Sequence, residues 1–213
     1  MMGKLIMNHC NVEILAKNLS HHNIGFLRFN TKEEVLAYFK NTLSQAMQIA
    51  WGGSMTLNEC GILNYLRTEK FPHLLDRDNP ALEDEARVEI ERKTFFCDVY
   101  LTSANALTED GLIVNIDGGG NRVAATIFGP KQVYFVVGIN KLVKDYDAAI
   151  HRIQNFVAQK NAERLGLSPP CVKTMACQNC ASPHRICNYF TAIKRDYRPN
   201  RTHVLLVNEK LGL

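Results

Sequence analysis

The sequence predicts an α/β fold built on a mainly parallel sheet. Short apolar runs rich in Val, Ile, Leu, Phe and Tyr stand at 24–29, 47–51, 99–102, 112–116 and 132–137, and helical patterns alternate with most of them over the first 165 residues. Gly, Asn and Asp crowd the ends of several of these runs, which is where an open α/β sheet places its ligand.

Each element has a local reason. Val12, Leu15, Ala16 and Leu19 fall at helical spacing and predict a first helix over 8–22. A strand at 24–29 follows. Thr31 and Glu34 then have the spacing of a capping box ahead of Val35, Leu36 and Phe39. The strand at 47–51 runs into Gly52, Gly53, Ser54, Met55 and Thr56, and Thr56 with Glu59 offers a second capping box for a helix over 57–66. Strand, glycine turn and helix start is an anion-binding order, but no lysine follows the glycines as a P-loop requires; Ser54 and Thr56 serve equally as caps. Leu74 and Leu75 make a short strand, and Pro80 precedes a helix over 82–93 whose alternating acids and bases describe a solvated face. The segment from Gly138 leads into a helix. The longest helix, over 145–165, sets Ala149, Ile150, Ile153, Phe156 and Val157 on one side and ends at Leu167-Ser168-Pro169-Pro170. Strands at 191–194 and 203–207, joined around Pro199 and Asn200, close the chain. The division expected is an α/β domain over 1–168 and a cysteine-rich segment over 169–213 whose last strands complete the same domain.

Composition narrows the function classes. A chain of 213 residues buries a substantial core in one domain. The formal charge of +4 is too mild to point to nucleic acid. No apolar run reaches the ~18–20 residues that span a bilayer, and residues 1–9 contain no apolar core of signal-peptide length. The reading is a cytoplasmic protein with no nucleic-acid or membrane partner.

Two runs carry the candidate chemistry. Asn105, Thr108, Glu109 and Asp110 form a polar elbow closed by Gly111 between two strands, and Asp117, Gly118, Gly119, Gly120, Asn121 and Arg122 follow the second. Glycines let backbone N–H groups approach a ligand closely. Arg122 and Lys141, with Asn140 beside it, suit a carboxylate or phosphate, the arginine with a bidentate fork. The candidate ligand loops are therefore Gly52–Gly53–Ser54–Thr56, Asn105 to Gly111, and Asp117 to Arg122.

Seven cysteines in a cytoplasmic chain call for an explanation other than disulfides. Cys10, Cys60 and Cys97 stand apart and read as small buried hydrophobes. Cys171, Cys177, Cys180 and Cys187 lie within 17 residues, with one Cys-x2-Cys pair. Four thiolates suit either a 4Fe–4S cluster or a zinc ion, and the single pair with uneven flanks leans toward the cluster. The core before Pro169 is expected to survive loss of that metal.

These residues resemble the lactate-utilisation (LUD) domain family of LutC-like proteins. The resemblance is carried by Gly53-Ser-Met-Thr56, Ala106-Leu-Thr-Glu-Asp-Gly-Leu112, Asn121-Arg122, Gly129-Pro-Lys-Gln-Val133 and Val137-Gly-Ile-Asn-Lys-Leu-Val143. It implies a three-layer α/β/α sandwich similar to the NagB/RpiA/CoA-transferase-like superfamily, and a role in lactate or hydroxy-acid oxidation with a small anionic metabolite. Better-described members sit beside iron–sulfur partner subunits, and many lack the four-cysteine tail present here. Two alternatives stay open: a non-catalytic iron–sulfur or zinc accessory protein working with redox partners, and an acyl- or CoA-transferase-like enzyme. The last rests on Glu109-Asp110-Gly111, which resembles the Glu-Asn-Gly turn of CoA transferases with Asp110 in place of the asparagine. There Glu109 would be the nucleophile and the triple glycine would supply N–H groups to an oxyanion.

Overall fold

The computed structural model describes residues 10–213, so the expected start of the first helix at Asn8 and the reading of residues 1–9 lie outside it. The elements in order are α1 (Val12–His21), β1 (Gly25–Phe29), α2 (Lys32–Thr42), β2 (Ile49–Trp51), α3 (Met55–Glu59), α4 (Ile62–Thr68), β3 (Leu74–Leu75) and α5 (Asp84–Lys93). Then come β4 (Val99–Thr102), β5 (Ala106–Thr108), β6 (Ile113–Asp117), α6 (Asn121–Ile127), β7 (Gln132–Gly138), β8 (Leu142–Val143) and α7 (Tyr146–Arg152). A π-helical turn (Ile153–Val157), α8 (Ala158–Arg164), α9 (Pro170–Thr174), β9 (Tyr189–Ile193) and β10 (Thr202–Val207) complete the chain.

Six strands form one sheet in the order β1-β10-β7-β4-β2-β3, with every pairing parallel. Period-two alternation sends successive side chains to opposite faces. Ile49, Trp51, Val99, Leu101, Tyr134, Val136, Leu205 and Val207 meet Val35 and Phe39 of α2 and Leu57, Ile62, Leu63 and Leu66 of α3 and α4 on one face. Ala50, Tyr100, Val133, Phe135, Val137, Val204 and Leu206 meet Leu15 and Leu19 of α1 and Ala125 of α6 on the other. Helices thus cover both faces of a parallel sheet, consistent with the parallel α/β fold that the sequence predicts and with the α/β/α sandwich that its family resemblance implies. Because both faces are covered, β7 and β10 read as near-continuous apolar runs.

A second sheet was hidden in the expected elbow. Ala106–Thr108 is a strand, not a loop, and pairs antiparallel with β6; β8 and β9 complete the order β8-β5-β6-β9. Val114, Ile116 and Ala106 pack under Ala149, Ile153 and Ala158.

Other boundaries differ for local reasons. Ser54, not Thr56, caps α3, its hydroxyl accepting from the Leu57 N–H at 3.3 Å. The helix expected over 57–66 breaks at Gly61, whose φ of 70° is left-handed. Gly138 leads first into a 3₁₀ turn (Ile139–Lys141) and the short β8, and Asp145 caps α7. The π-helical turn shifts the apolar stripe of the long helix, leaving Phe156 43% exposed while Ile153 and Val157 are buried. Cys60 and Cys97 are buried as expected, and Cys10 is half-buried. The last two strands do not form a hairpin: β9 joins β6 in the second sheet, and β10 enters the first between β1 and β7. The core is therefore incomplete before Pro169. Among the described residues, no helix is long and apolar enough to cross a membrane.

Candidate functional site

Three neighbouring parallel strands, β2, β4 and β7, deliver Gly53 and Ser54, Ser103 to Asn105, and Lys141 from their carboxyl ends to one place. The chain runs from β2 outward to β3, and from β4 through β7 to β10 in the opposite direction. The crevice between β2 and β4 is therefore a topological switch point, the usual ligand position in such a sheet. A cavity of about 280 Å³ opens there, and Asp117, Gly118, Gly119, Asn121 and Arg122 also line it. The long helix contributes Val157 from its π-helical turn, then Asn161, Arg164 and Leu165.

Arg122 holds the floor together. All five of its N–H donors are engaged: Nε with Asp117 Oδ2 at 3.1 Å, Nη1 with the Ser103 carbonyl at 3.2 Å and Asn115 Oδ1 at 2.8 Å, and Nη2 with Asn105 Oδ1 at 3.4 Å and the Ile116 carbonyl at 2.6 Å. Gly52 makes that path possible, since a Cβ there would lie 2.6 Å from Arg122 Cγ. The arginine expected to grip an anion is thus committed to the framework of β4, β6 and α6. Asp117 also accepts the N–H groups of Gly119 at 3.1 Å and Gly120 at 2.7 Å, so those two glycines are not free oxyanion donors. Asn105 Oδ1 accepts the Ile116 N–H at 2.9 Å.

Lys141 is the unusual group. Only 4% exposed, it directs its amine at Thr56 Oγ1 (2.8 Å) and Ser103 Oγ (2.9 Å). Burial, with Arg152 and Arg122 nearby, pushes its pKa down to about 7 against a weaker pull from Glu59 and Cys60. Arg152 is itself brought down to about 10 by burial, and it donates to the Asn105 carbonyl at 2.8 Å. Two hydroxyls and an amine near its titration point therefore meet at the end of β4.

Not every expected residue reaches the cavity. Asn140 pins the last residues, accepting the Leu211 N–H at 3.0 Å and donating to the Gly212 carbonyl at 3.2 Å. Gly120 starts α6 with a φ of 84°. Glu109 lies outside the cavity lining. Its carboxylate pairs with Lys144 and accepts the Asn11 N–H at 2.6 Å, and these two bonds hold its pKa below the usual range. Asp110 accepts from the Thr108 hydroxyl within the same turn. Cys171, Cys177, Cys180 and Cys187 are all free thiols in the stretch of chain between α8 and β9. Burial, then Cys180, Cys187 and Cys177, raise the Cys171 pKa, so the four share a neighbourhood. Among the described residues, however, no three His, Cys, Asp or Glu side chains are grouped to hold a metal ion. From that segment Ile186 lines the cavity.

Sequence reasoning assigned no individual role to Ser103, Arg77, Asn161 or Arg164, all of which line the cavity. Ser103 had a usable signal, since it follows directly on a buried strand. Arg77 and Arg164 had none: one lies in a loop after β3, the other in the last turn of a helix with an unforeseen π-helical turn.

The LUD domain family model matches residues 12–207. The chain belongs to the LUD domain family. Among solved structures, this LUD chain is similar to a DUF162 family protein from Deinococcus radiodurans, with a TM-score of 0.54 and 13% identity over 92% of this chain and 95% of that one. At that identity the likeness concerns the fold. Comparison with the curated proteins finds no match.

Proposed function

We propose that this LUD-domain protein binds a small carboxylate metabolite of the 2-hydroxy or 2-oxo acid class in the cavity between β2 and β4, in support of lactate or hydroxy-acid oxidation. One observation carries the reading: Arg77, Arg122, Arg164 and Lys141 line the cavity against a single acid, Asp117. With Arg122 paired to Asp117 and Arg77 to Glu91 at 2.8 Å, the cationic character left for a ligand comes mainly from Arg164, whose guanidinium donates to the neutral Asn161 Oδ1. A positive, partly enclosed space of about 280 Å³ suits a metabolite of a few heavy atoms. Family membership supports the lactate-related class.

A thermal-shift series with lactate, glycolate, pyruvate and phosphate tests it. A ligand at about 100 times its Kd stabilises by about 2.7 kcal/mol, which for a chain of this length raises Tm by about 5–10 °C. Arg77→Ala with Arg164→Ala should abolish the shift. If no carboxylate raises Tm, or if the shift survives both substitutions, the reading is wrong.

A further inference from the structure

We infer that Ser103 and Lys141 form a nucleophile–base pair, with Thr56 as its orienting group, and that the cavity accepts a small acid activated as an ester or thioester. This rests on the cavity described above but assigns it a reaction. Three contacts define the geometry: Lys141 Nζ to Ser103 Oγ at 2.9 Å, Lys141 Nζ to Thr56 Oγ1 at 2.8 Å, and Thr56 Oγ1 to the Leu211 carbonyl at 3.4 Å. With the amine neutral, the Ser103 hydroxyl donates to Nζ, Nζ donates to Thr56, and Thr56 donates to Leu211. A nucleophile, a base and a group that orients the base are the parts an activated hydroxyl requires.

The groups around the amine keep it available. Arg152 and Arg122 face it from α7 and α6 and disfavour its charged form, while Glu59 and Cys60 at the end of α3 act weakly the other way. No carboxylate is among its hydrogen-bond partners in the described residues. A buried lysine with a carboxylate partner would be a charged strut; one held by two hydroxyls is suited to accept a proton. Ser103 lines the cavity, so its oxygen is presented to the space that Arg77 and Arg164 also line.

The step balances without a co-reactant other than water. Ser103 Oγ bonds to the acyl carbon as its proton passes to Lys141 Nζ. Collapse of the tetrahedral adduct breaks the bond to the alkoxide or thiolate leaving group, which takes that proton. Water, deprotonated by the same amine, then releases the acid and restores the serine.

The experiment is labelling of the full chain with diisopropyl fluorophosphate, mapped by peptide mass spectrometry across pH 5–10. The expected result is one adduct, on Ser103, formed at a rate that rises with pH and levels off above about 7. Ser103→Ala should remove the adduct, and Lys141→Met should slow it about 100-fold or more, the usual contribution of a general base. Circular dichroism checks that both variants fold, and if Lys141→Met does not, the mapped site and the wild-type pH profile decide. Absence of label at Ser103, label on Lys141 instead, or a rate independent of pH overturns the pair. Carboxylate binding measured on Ser103→Ala separates the two readings. Binding without labelling of the wild type sinks the nucleophile and leaves the carboxylate site standing. Labelling without carboxylate binding sinks the carboxylate site and leaves the nucleophile.

Discussion

Replacing Arg122 with Ala removes the side chain that joins Asp117, Asn115, Asn105 and the carbonyls of Ser103 and Ile116. The ion pair it makes with Asp117 is well shielded, with side-chain exposures of 12% and 9%. Breaking a buried pair by deleting one partner costs about 3–5 kcal/mol, because the other charge and the remaining acceptors are left behind in a poorly solvated place. For a chain of this length that corresponds to a fall in Tm of about 10 °C. Urea unfolding without any ligand measures it directly. Arg122→Lys should recover part of the loss, since an ammonium can face Asp117 but cannot serve five acceptors on both sides of the floor. A loss within about 1 kcal/mol for Arg122→Ala would refute the claim that this arginine is framework, and would return it to the ligand-binding role that sequence reasoning gave it.

Lys141 makes the stability of the fold pH-dependent. Its pKa falls from 10.5 to about 7 on folding, so between those values the unfolded chain holds the extra proton and stability rises with pH. In paired denaturation curves, Lys141→Met should gain most relative to wild type at or below pH 7, and that gain should shrink toward pH 10; a constant difference would contradict the burial. Glu109 gives a slope of the same sign in an acidic window, but as a stabilising contribution. Its lowered pKa stabilises the fold above the unfolded value of 4.5 and that contribution is lost as pH falls through the folded value, so Glu109→Gln should flatten the acid limb while leaving carboxylate binding unchanged. Gly138→Ala should cost about 1–3 kcal/mol, because its Cβ would lie 2.6 Å from both Asn140 Oδ1 and the Leu211 nitrogen. Gly53→Ala meets nothing within 4 Å and should leave urea stability within about 0.5 kcal/mol.

Much of the first sheet was legible because burial on both faces leaves a continuous apolar signature in β4 and β7. Asn121, Arg122 and Lys141 were legible too, as polar residues placed just past or between such runs. What the sequence hid were effects of tertiary context. Ala106–Thr108 is too short and too polar at its ends to read as a strand, and it becomes one only because β6 and β8 flank it. Helical periodicity concealed the π-helical turn that brings Val157 and Asn161 to the cavity. The triple glycine read as ligand-facing, but the Asp117 carboxylate beside it takes two of its N–H groups. Glu109 stood out by motif, whereas the buried neighbours that make Lys141 unusual come from α3, β4, α6 and α7 and leave no local pattern.

The most direct test of the cavity as the functional site is isothermal titration of lactate and pyruvate into wild-type protein and into the Arg77→Ala, Arg164→Ala double variant. Saturable binding at one site per wild-type chain, lost in the double variant while its unfolding curve stays cooperative, is the result this account predicts. Equal binding to both proteins, or none to the wild type, would contradict it.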